Sequence, residues 1–436
     1  MRCTLHKPHS LLLLPLFGLA LAASGCSDPG AALCTGVTGT CKGLAAGSSE
    51  AQVSSLFSTA ASGTTIVFGA GTFKFKNTVA CASGVTNLTI KGAGIDKTTL
   101  DFKDQLTGSQ AIACSGTDGI SFSDLTVADS LGDAIKVEGA TGVVFRNVKI
   151  VWTKSDPTAH GPYGLYPVQC KNVLIEGSTV DGASDAGIYV GQSENVVVRN
   201  NTAVHNVAGI EIENTWYADV TNNEATDNTA GILIFSLPIK NSPKPTTKSV
   251  RVYMNKSHDN NRASFAASGS VVGKVPAGVG LLIMAADQVE VFGNTIQNSN
   301  TAQTGIVSYQ ILQTSFADVP TYIPDPTNIY IHDNTYVGDA TMFDQSNPLG
   351  IALAQTFPGT KAPTIMWDGF VGANAPKTIA NNPASICLGG NGANTTWANL
   401  DAPSTTSPTS FSAVKTDATA YTCQLPALPA VTFPGL

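Results

Sequence analysis

Charged residues are scarce in this sequence: Lys, Arg, Asp and Glu make up 13% of the chain, against 43% hydrophobic residues. A disordered chain needs the opposite balance, so the composition favours a folded protein. The net charge is −7, and an acidic chain is a poor partner for nucleic acid. The sequence also lacks a phosphate loop, a nucleotide fingerprint, a Gly-x-Ser-x-Gly motif and zinc-ligand spacing, so it indicates no cofactor and no metal.

The apolar run near the N-terminus is too short to cross a bilayer. It extends from Leu11 to Ala23, a length of 13 residues, and follows Arg2 and Lys7. A short apolar run behind a basic segment is typical of a signal peptide. We therefore predict a signal peptide at residues 1–25.

The end of this run resembles the lipobox of bacterial lipoproteins, because Cys26 follows Ala, Ser and Gly. The resemblance implies that Cys26 is lipidated, becomes the first mature residue and attaches the protein to a membrane. Ser27, the residue after this cysteine, resembles the residue found at that position in lipoproteins sent to the outer membrane. The alternative is ordinary secretion with an incidental cysteine.

The most regular feature present is a repeat of about 23 residues in the middle of the chain. Each unit begins with alternating apolar residues, and most units continue through a polar turn into Gly-Ile-x-Ile or a close variant. A fixed period with two or three short strands per unit is typical of a β-solenoid. The units open at Gly119, Gly142, Asn172, Asn195, Tyr217, Ser249, Gln288 and Asn328.

The seventh position of these units holds Asn in five consecutive units. If each unit is one coil, these side chains stack at the strand spacing of about 4.8 Å, and their amides hydrogen-bond to one another and to the turn backbone. A preference of Asn for turns would not by itself keep this register across units of unequal length. The position reads Leu125, Val148, Ser178, Asn201, Asn223, Asn255, Asn294 and Asn334.

The predicted fold class is all-β, a single-stranded parallel β-helix over residues 49–344. Residues 50–61 are predicted to form an amphipathic helix that caps the open end of the first coil. Residues 26–48 are predicted to be a lead segment, and residues 345–436 an irregular C-terminal extension. The arrangement resembles the right-handed parallel β-helix proteins, many of which act on polysaccharides, and this implies the right-handed form.

Seven cysteines follow Cys26, and an exported chain meets an oxidising compartment. Two of them bracket a Pro/Thr/Ser-rich C-terminal stretch, which a disulfide would pin to the solenoid. The predicted pairs are Cys34 with Cys41, Cys387 with Cys423, and Cys81 with Cys114, and Cys170 is left as a buried thiol.

In the strand that follows the repeat Gly, alternate residues should point outward. One half of this face is polar and aromatic, while the other half is apolar and must be covered or bind something. The first outward position reads Lys136, Tyr166, Tyr189, Glu211, Leu233, Leu282 and Val307. The second reads Glu138, a residue near Pro167, then Gly191, Glu213, Phe235, Met284 and Tyr309.

Insertions flank this strand and would build walls around a groove; they cover residues 152–163, 235–248, 262–279 and 312–327. The first wall carries Lys154, Asp156, His160 and Tyr163. A cation with His and Tyr is what a uronate lyase or C5-epimerase needs. One group neutralises the substrate carboxylate, and a second removes the proton from the neighbouring carbon. A third group protonates the leaving oxygen or the opposite face of that carbon.

The predicted catalytic residues are Lys136, Asp156, His160, Tyr166, Tyr189 and Glu211, and the predicted substrate-binding residues are Tyr163, Glu213 and Phe235. A hydrolase would instead use paired carboxylates. Glu211 and Glu213 are expected about 7 Å apart, as in inverting glycosidases. A solvated sheet face without an active site is the remaining interpretation.

Several segments are similar to one group of exported bacterial β-helix proteins, namely residues 163–170, 184–193, 207–214, 232–238 and 386–429. Members of this group resemble secreted or lipid-anchored proteins, and their genes tend to neighbour one for another exported, often cytochrome-like, protein. The resemblance implies such a partner and no established activity. Better-known epimerases of this fold carry an Asp-Pro-His motif, whereas Asp156-Pro is followed here by Thr-Ala-His160.

The leading hypothesis is an exported lipoprotein that acts on a polysaccharide, with lyase or epimerase chemistry ahead of glycoside hydrolysis. The alternative is a non-catalytic lipoprotein that holds a glycan or a partner protein in the same groove.

Overall fold

The computed structural model describes residues 30–373, 375–405 and 410–433. The predicted signal peptide and the lipidation site Cys26 lie outside the described residues. Successive coils pair in parallel, as Ala208–Glu213 does with Ala230–Phe235, and the predicted parallel β-helix is confirmed. No helix within the described ranges is both long and apolar enough to cross a membrane.

One face of the solenoid is a sheet of eleven strands, which we call the eleven-strand sheet. It contains the Gly-Ile-x-Ile segments of the repeat. Its strands are Val79–Ala80, Gln110–Ser115, Asp133–Glu138, Tyr163–Val168, Ala186–Gly191, Ala208–Glu213, Ala230–Phe235, Val279–Met284, Ala302–Val307, Ile365–Trp367 and Trp397–Asn399.

The remaining faces form one assembly of twenty strands, which we call the twenty-strand assembly. The long strands Ile120–Ala128 and Thr141–Val151 run straight through the position of Leu125 and Val148, whereas later coils with Asn there break into two strands. The others are Thr40–Leu44, Thr64–Phe68, Gly71–Lys74, Thr89–Lys91, Thr98–Asp101, Lys171–Glu176, Thr179–Asp181, Glu194–Arg199, Thr202–Val204, Trp216–Thr221, Glu224–Thr226, Lys248–Tyr253, Lys256–His258, Asp287–Phe292, Thr295–Gln297, Thr327–His332, Thr335–Val337 and Ile386–Cys387.

Helices are short. The α-helices are α1 (Glu50–Ser58) and α2 (Pro348–Thr356). The 3-10 turns are Ala31–Cys34, Pro157–Ala159, Val272–Lys274, Tyr309–Leu312, Ala402–Ser404 and Thr419–Tyr421.

The predicted asparagine ladder is confirmed. Asn223 donates from its backbone N–H and from Nδ2 to Asn255 Oδ1, at 3.0 and 2.9 Å, and Asn201 bonds to Asn223 in the same way. The ladder continues through Asn294 and Asn334 to Asn391, one coil further than predicted. Each amide satisfies backbone groups at a turn that water cannot reach, which stabilises the stack of coils.

A second asparagine ladder, which the sequence analysis did not predict, lies five residues further along each coil. Asn206 donates to Asn228 Oδ1, and Asn228 donates to Asn260 Oδ1, with distances of 2.9 to 3.1 Å. The signal was present, because these three residues share one position in consecutive repeat units.

The N-terminal cap forms as predicted, but the solenoid begins earlier than residue 49. Helix α1 has a capping box between Ser49 and Gln52, and it buries Val53 and Phe57 against the first coils. The strand Thr40–Leu44 pairs in parallel with Thr64–Phe68, so the lead segment already supplies a strand that covers the edge of the first coil.

The solenoid also continues beyond residue 344, where the sequence predicts an irregular extension. Ile365–Trp367 pairs with Thr304–Ile306, and Trp397–Asn399 pairs with Ile365–Trp367. The repeat is not visible here because these strands have only three residues each, separated by long turns. The extension therefore adds coils to the end of the β-helix.

The three predicted disulfides are confirmed: Cys34–Cys41, Cys81–Cys114 and Cys387–Cys423. Cys170 is a buried free thiol, as predicted. Beyond Cys423 the chain returns along the twenty-strand assembly, where the backbone N–H of Leu428 donates to Glu290 Oε2 at 2.8 Å. The last disulfide thus holds the tail against the side of the solenoid.

Candidate functional site

Three tyrosines pack together on the outer surface of the eleven-strand sheet. Tyr166 and Tyr189 occupy neighbouring coils in one register, between Lys136 and Glu211, as the sequence predicts. Tyr163 from the first insertion lies 4.7 Å from each of the other two rings, measured between centroids. The predicted residues Lys136, Tyr163, Tyr166, Tyr189, Glu211 and Glu213 therefore belong to one cluster.

The predicted columns are wrong in the last coil of the repeat, where the prediction is displaced by two residues. Leu282 pairs with Gly305, while Met284 pairs with Val307, so Val307 belongs to the second outward column. Tyr309 lies in a 3-10 turn beyond the strand. The usual repeat Gly is replaced by Gln303, so Gly305 is not the equivalent of the earlier glycines.

The carboxyl groups of this cluster are buried. Glu211 and Glu213 are 3% and 6% exposed. Burial raises the pKa of Glu213 to about 7, against an opposing hydrogen bond from Tyr189, whose hydroxyl donates to Glu213 Oε1 at 2.8 Å. Burial raises the pKa of Glu211 well above its ordinary value, and the nearby charges of Asp185 and Glu213 raise it further.

Glu211 and Glu213 are close enough to share a hydrogen bond. That bond needs a proton on one of the two groups, and burial raises the pKa of both. When both groups are ionised, Glu211 Oε2 is a buried oxygen without a hydrogen-bond donor. The predicted spacing of an inverting glycosidase pair is therefore wrong, because the side chains turn toward each other rather than leaving room for a water between them.

Two further carboxyl groups complete the cluster, and the sequence analysis did not assign either to it. Asp185 accepts a hydrogen bond from the Tyr163 hydroxyl at 3.3 Å, and burial raises its pKa to about 7. Asp133 accepts from Gln110 at 3.2 Å, and burial raises its pKa to about 6. Both lie at or next to the first residue of a strand in the eleven-strand sheet, and that shared position was the available signal.

The electrostatics favour the neutral form of the tyrosines. Burial raises the pKa of Tyr163, Tyr166 and Tyr189, and neighbouring carboxylates raise each further. A tyrosine that serves as a base must lose its proton, which these surroundings oppose. The tyrosines are therefore suited to donate hydrogen bonds, as Tyr189 and Tyr163 do.

Lys136 lies at the open end of the cluster. Its ammonium pairs with Glu138 at 3.0 Å and lies 5.3 Å from the centroid of the Tyr166 ring. The side chain of Lys136 is 24% exposed and that of Glu138 is 42% exposed. Exposure falls from this end toward Glu211, so the cluster is reached from the Lys136 side.

The other two predicted catalytic residues hold the first insertion in place. His160 faces the backbone oxygens of Gly182 and Lys154 with its two ring nitrogens, at 2.6 and 2.8 Å. Asp156 is exposed and caps the 3-10 turn Pro157–Ala159 by accepting hydrogen bonds from Thr158. Neither makes a hydrogen bond or ion pair with the tyrosine–carboxyl cluster among the described contacts.

The apolar half of the face is covered, as the sequence requires. Phe235, predicted to bind substrate, is fully buried in a second apolar cluster formed by the later insertions and by α2. Tyr322 from the insertion 312–327 donates from its hydroxyl to the Ser236 oxygen at 2.6 Å. Burial raises the pKa of Tyr322, and the charge of Glu213 is among those that raise it further. This insertion therefore closes the site on the side away from Lys136.

Among residues 30–373, 375–405 and 410–433, no set of three or more His, Cys, Asp and Glu side chains is arranged to hold a metal ion. The cluster consists of carboxyl groups and tyrosines, with Tyr189 donating to Glu213 and Tyr163 donating to Asp185.

Several solved structures are similar to this chain over most of its length. Among solved structures, the A-module of mannuronan C-5 epimerase AlgE4 from Azotobacter vinelandii is similar over 78% of this chain and 88% of that chain, with 14% identity and a TM-score of 0.46. A polygalacturonase from Erwinia carotovora is similar over 64% and 81%, with 12% identity and a TM-score of 0.46. An alginate lyase from Paenibacillus is similar over 67% and 94%, with 14% identity and a TM-score of 0.32.

A search of curated protein sequences found no match. The family model described as "Right handed beta helix region" matches residues 79–240, which contain the strands that carry the tyrosines and carboxyl groups. With its parallel coils and inward-facing apolar stacks, this chain folds as a right-handed parallel β-helix.

Proposed function

We propose that this protein hydrolyses a polysaccharide, with Glu211, Glu213 and Asp185 as its acid–base groups. The observation that carries the proposal is the buried pair Glu211 and Glu213, with the Tyr189 hydroxyl donating to Glu213 at 2.8 Å. Burying carboxyl groups without matching cations costs folding free energy, and such clusters concentrate at functional sites.

The chemistry follows from the pKa directions. Glu213, ionised above about pH 7, accepts a proton from a water, while the protonated Glu211 holds the pair together. Asp185, with a pKa of about 7, supplies a proton to the sugar oxygen that leaves. The half-buried rings of Tyr163 and Tyr166 line the approach to these groups.

Access requires movement on one side of the site. The substrate approaches over Lys136 and the half-buried Tyr166. On the other side, Tyr322 of the insertion 312–327 belongs to the same buried apolar cluster as Tyr189, which donates to Glu213. That insertion is held at Tyr322 by the hydrogen bond to Ser236. The proposed function therefore requires this insertion to shift when a sugar ring reaches Glu213.

Uronate lyase or C5-epimerase chemistry is the second candidate. The observation that favours it is the register that places Lys136, Tyr166 and Tyr189 on neighbouring coils. In this candidate the Lys136 ammonium binds a uronate carboxylate, and a hydroxyl of Tyr166 or Tyr189 protonates the product.

Incubation with a panel of neutral, amino and uronate polysaccharides tests both candidates. New reducing ends without unsaturated sugars are expected for hydrolysis. Unsaturated products, or solvent deuterium entering at C5 without cleavage, would establish the second candidate instead. If no product forms but a glycan binds, and Tyr166→Ala weakens that binding, the protein is a non-catalytic glycan-binding scaffold.

Export and lipid anchoring are also proposed, with attachment at Cys26 and an outer-membrane location. Three disulfides support folding in an oxidising compartment. Cys26→Ser should move the protein from the membrane fraction to the soluble fraction and remove palmitate labelling. Labelling that persists in this variant would show that the anchor is elsewhere.

An exported, cytochrome-like protein partner is also proposed, and co-purification from solubilised membranes is its test.

A further inference from the structure

The candidate site is strongly acidic. Lys136 is the one ammonium group that the described residues place in ion-pair contact with it, and it pairs with Glu138. Even with one proton on the Glu211–Glu213 pair, the site carries more carboxylates than cations. The carboxyl groups are Asp133, Glu138, Asp185, Glu211 and Glu213.

This charge is unsuited to a uronate. Two like charges about 5 Å apart repel by about 3 kcal/mol at an effective dielectric constant of about 20. The sequence suggests that Lys136 neutralises a uronate carboxylate, but the structure shows this ammonium already engaged by Glu138 at 3.0 Å. A polyuronate would therefore bring further negative charge to a site with no free cation among the described residues.

Two features of the site fit a ligand cation. Glu211 Oε2 is buried without a donor when its neighbour Glu213 is also ionised, and an ammonium group has three donors to offer. The Tyr166 ring already accepts one ammonium, that of Lys136, over its face. Tyrosine faces attract cations most strongly when water is excluded, as it is deeper in this cluster.

We propose that the site selects a polysaccharide that carries free amino groups, such as a de-N-acetylated hexosamine polymer, and that the sugar ammonium donates to Glu211 Oε2 and to Glu213. This rests on the proposed action on a polysaccharide and names its substrate class. The groups facing the ammonium would be Glu211, Glu213, Asp185 and the faces of Tyr163 and Tyr166.

Binding of such a ligand has a distinctive signature. A cation close to a carboxyl group favours its ionised form and lowers its pKa. Because Glu213 and Asp185 have pKa values of about 7 in the free protein, an ammonium should expel protons from the site at neutral pH. Neutral sugars bound by hydrogen bonds and ring contacts alone would not.

Calorimetric titration at pH 7 in two buffers of different ionisation enthalpy measures this release. The probe is a fully de-N-acetylated glucosamine tetramer, compared with its N-acetylated form and with a galacturonate tetramer. We expect the amine form to bind at least about tenfold more tightly than either, with release of about half a proton or more per site. Asp185→Asn should reduce both effects, whereas Glu224→Gln, on the twenty-strand assembly, should change neither.

Tetralysine at the same charge and ionic strength controls for attraction between any cation and an acidic protein. Equal binding of tetralysine, or binding of the N-acetylated or uronate tetramer as tight as that of the amine form, would overturn the proposal. If the polysaccharide panel shows hydrolysis of a neutral or uronate polymer, without unsaturated products, while the amine tetramer does not bind, the substrate class fails and the proposed hydrolysis stands. If no polysaccharide is cleaved or bound, both fail.

Discussion

Glu213→Gln should make the protein more stable at pH 8.5 by about 2 to 3 kcal/mol while lowering turnover by at least about 100-fold. Burial raises the pKa of Glu213 from 4.5 to about 7. A carboxyl group with a raised pKa contributes stability that is fully present below pH 4.5 and is lost as the pH rises through 7. Glutamine keeps the shape and the acceptor for Tyr189 but never ionises, so it avoids this loss and also removes the base.

Chemical denaturation of both proteins at pH 5 and pH 8.5 measures the effect, because the advantage of Gln should nearly vanish at pH 5. Other buried carboxyl groups, such as Asp368 with a pKa of about 8, act in both proteins and cancel in the difference. Glu176→Gln is a control of opposite sign, since hydrogen bonds from Arg199 and Arg146 lower the pKa of Glu176. A Glu213→Gln variant that is less stable at pH 8.5 would show that Glu213 is stabilised as an anion.

Asn255→Ala should lower the free energy of unfolding by about 2 to 3 kcal/mol. Asn255 Nδ2 donates to the Val220 oxygen at 2.8 Å and to Asn294 Oδ1 at 3.0 Å, and Asn255 Oδ1 accepts two bonds from Asn223. The change therefore leaves a buried N–H and a buried C=O without partners, in the middle of the ladder. Urea denaturation at constant pH measures the loss.

The matched control is Asn200→Gly. Asn200 is exposed and precedes the ladder residue of its coil, but its backbone is left-handed with φ 56°. Alanine there would introduce strain, whereas Gly adopts this conformation freely, so a loss below about 0.5 kcal/mol is expected. Similar losses for the two variants would mean that turn conformation, rather than the amide bonds, accounts for the stability at these positions.

Part of the candidate site was predictable from the repeat, and part was not. Lys136, Tyr166, Tyr189 and Glu211 were placed correctly in neighbouring coils because they follow the same repeat Gly. The roles assigned to His160 and Asp156 depended on how an insertion folds, and in the structure both side chains bind the insertion's own backbone or nearby turns.

The sequence by itself determined the β-helix and the register of the first ladder, because in a solenoid each residue contacts the residue one period away. Periodicity along the chain is then contact in space. The tertiary structure alone decided that Glu211 and Glu213 are buried and face each other, that Asp185 and Asp133 join them, and that Tyr322 closes the site. Those contacts join insertions to coils at no fixed separation, and the pKa of a carboxyl group depends on how completely such contacts exclude water.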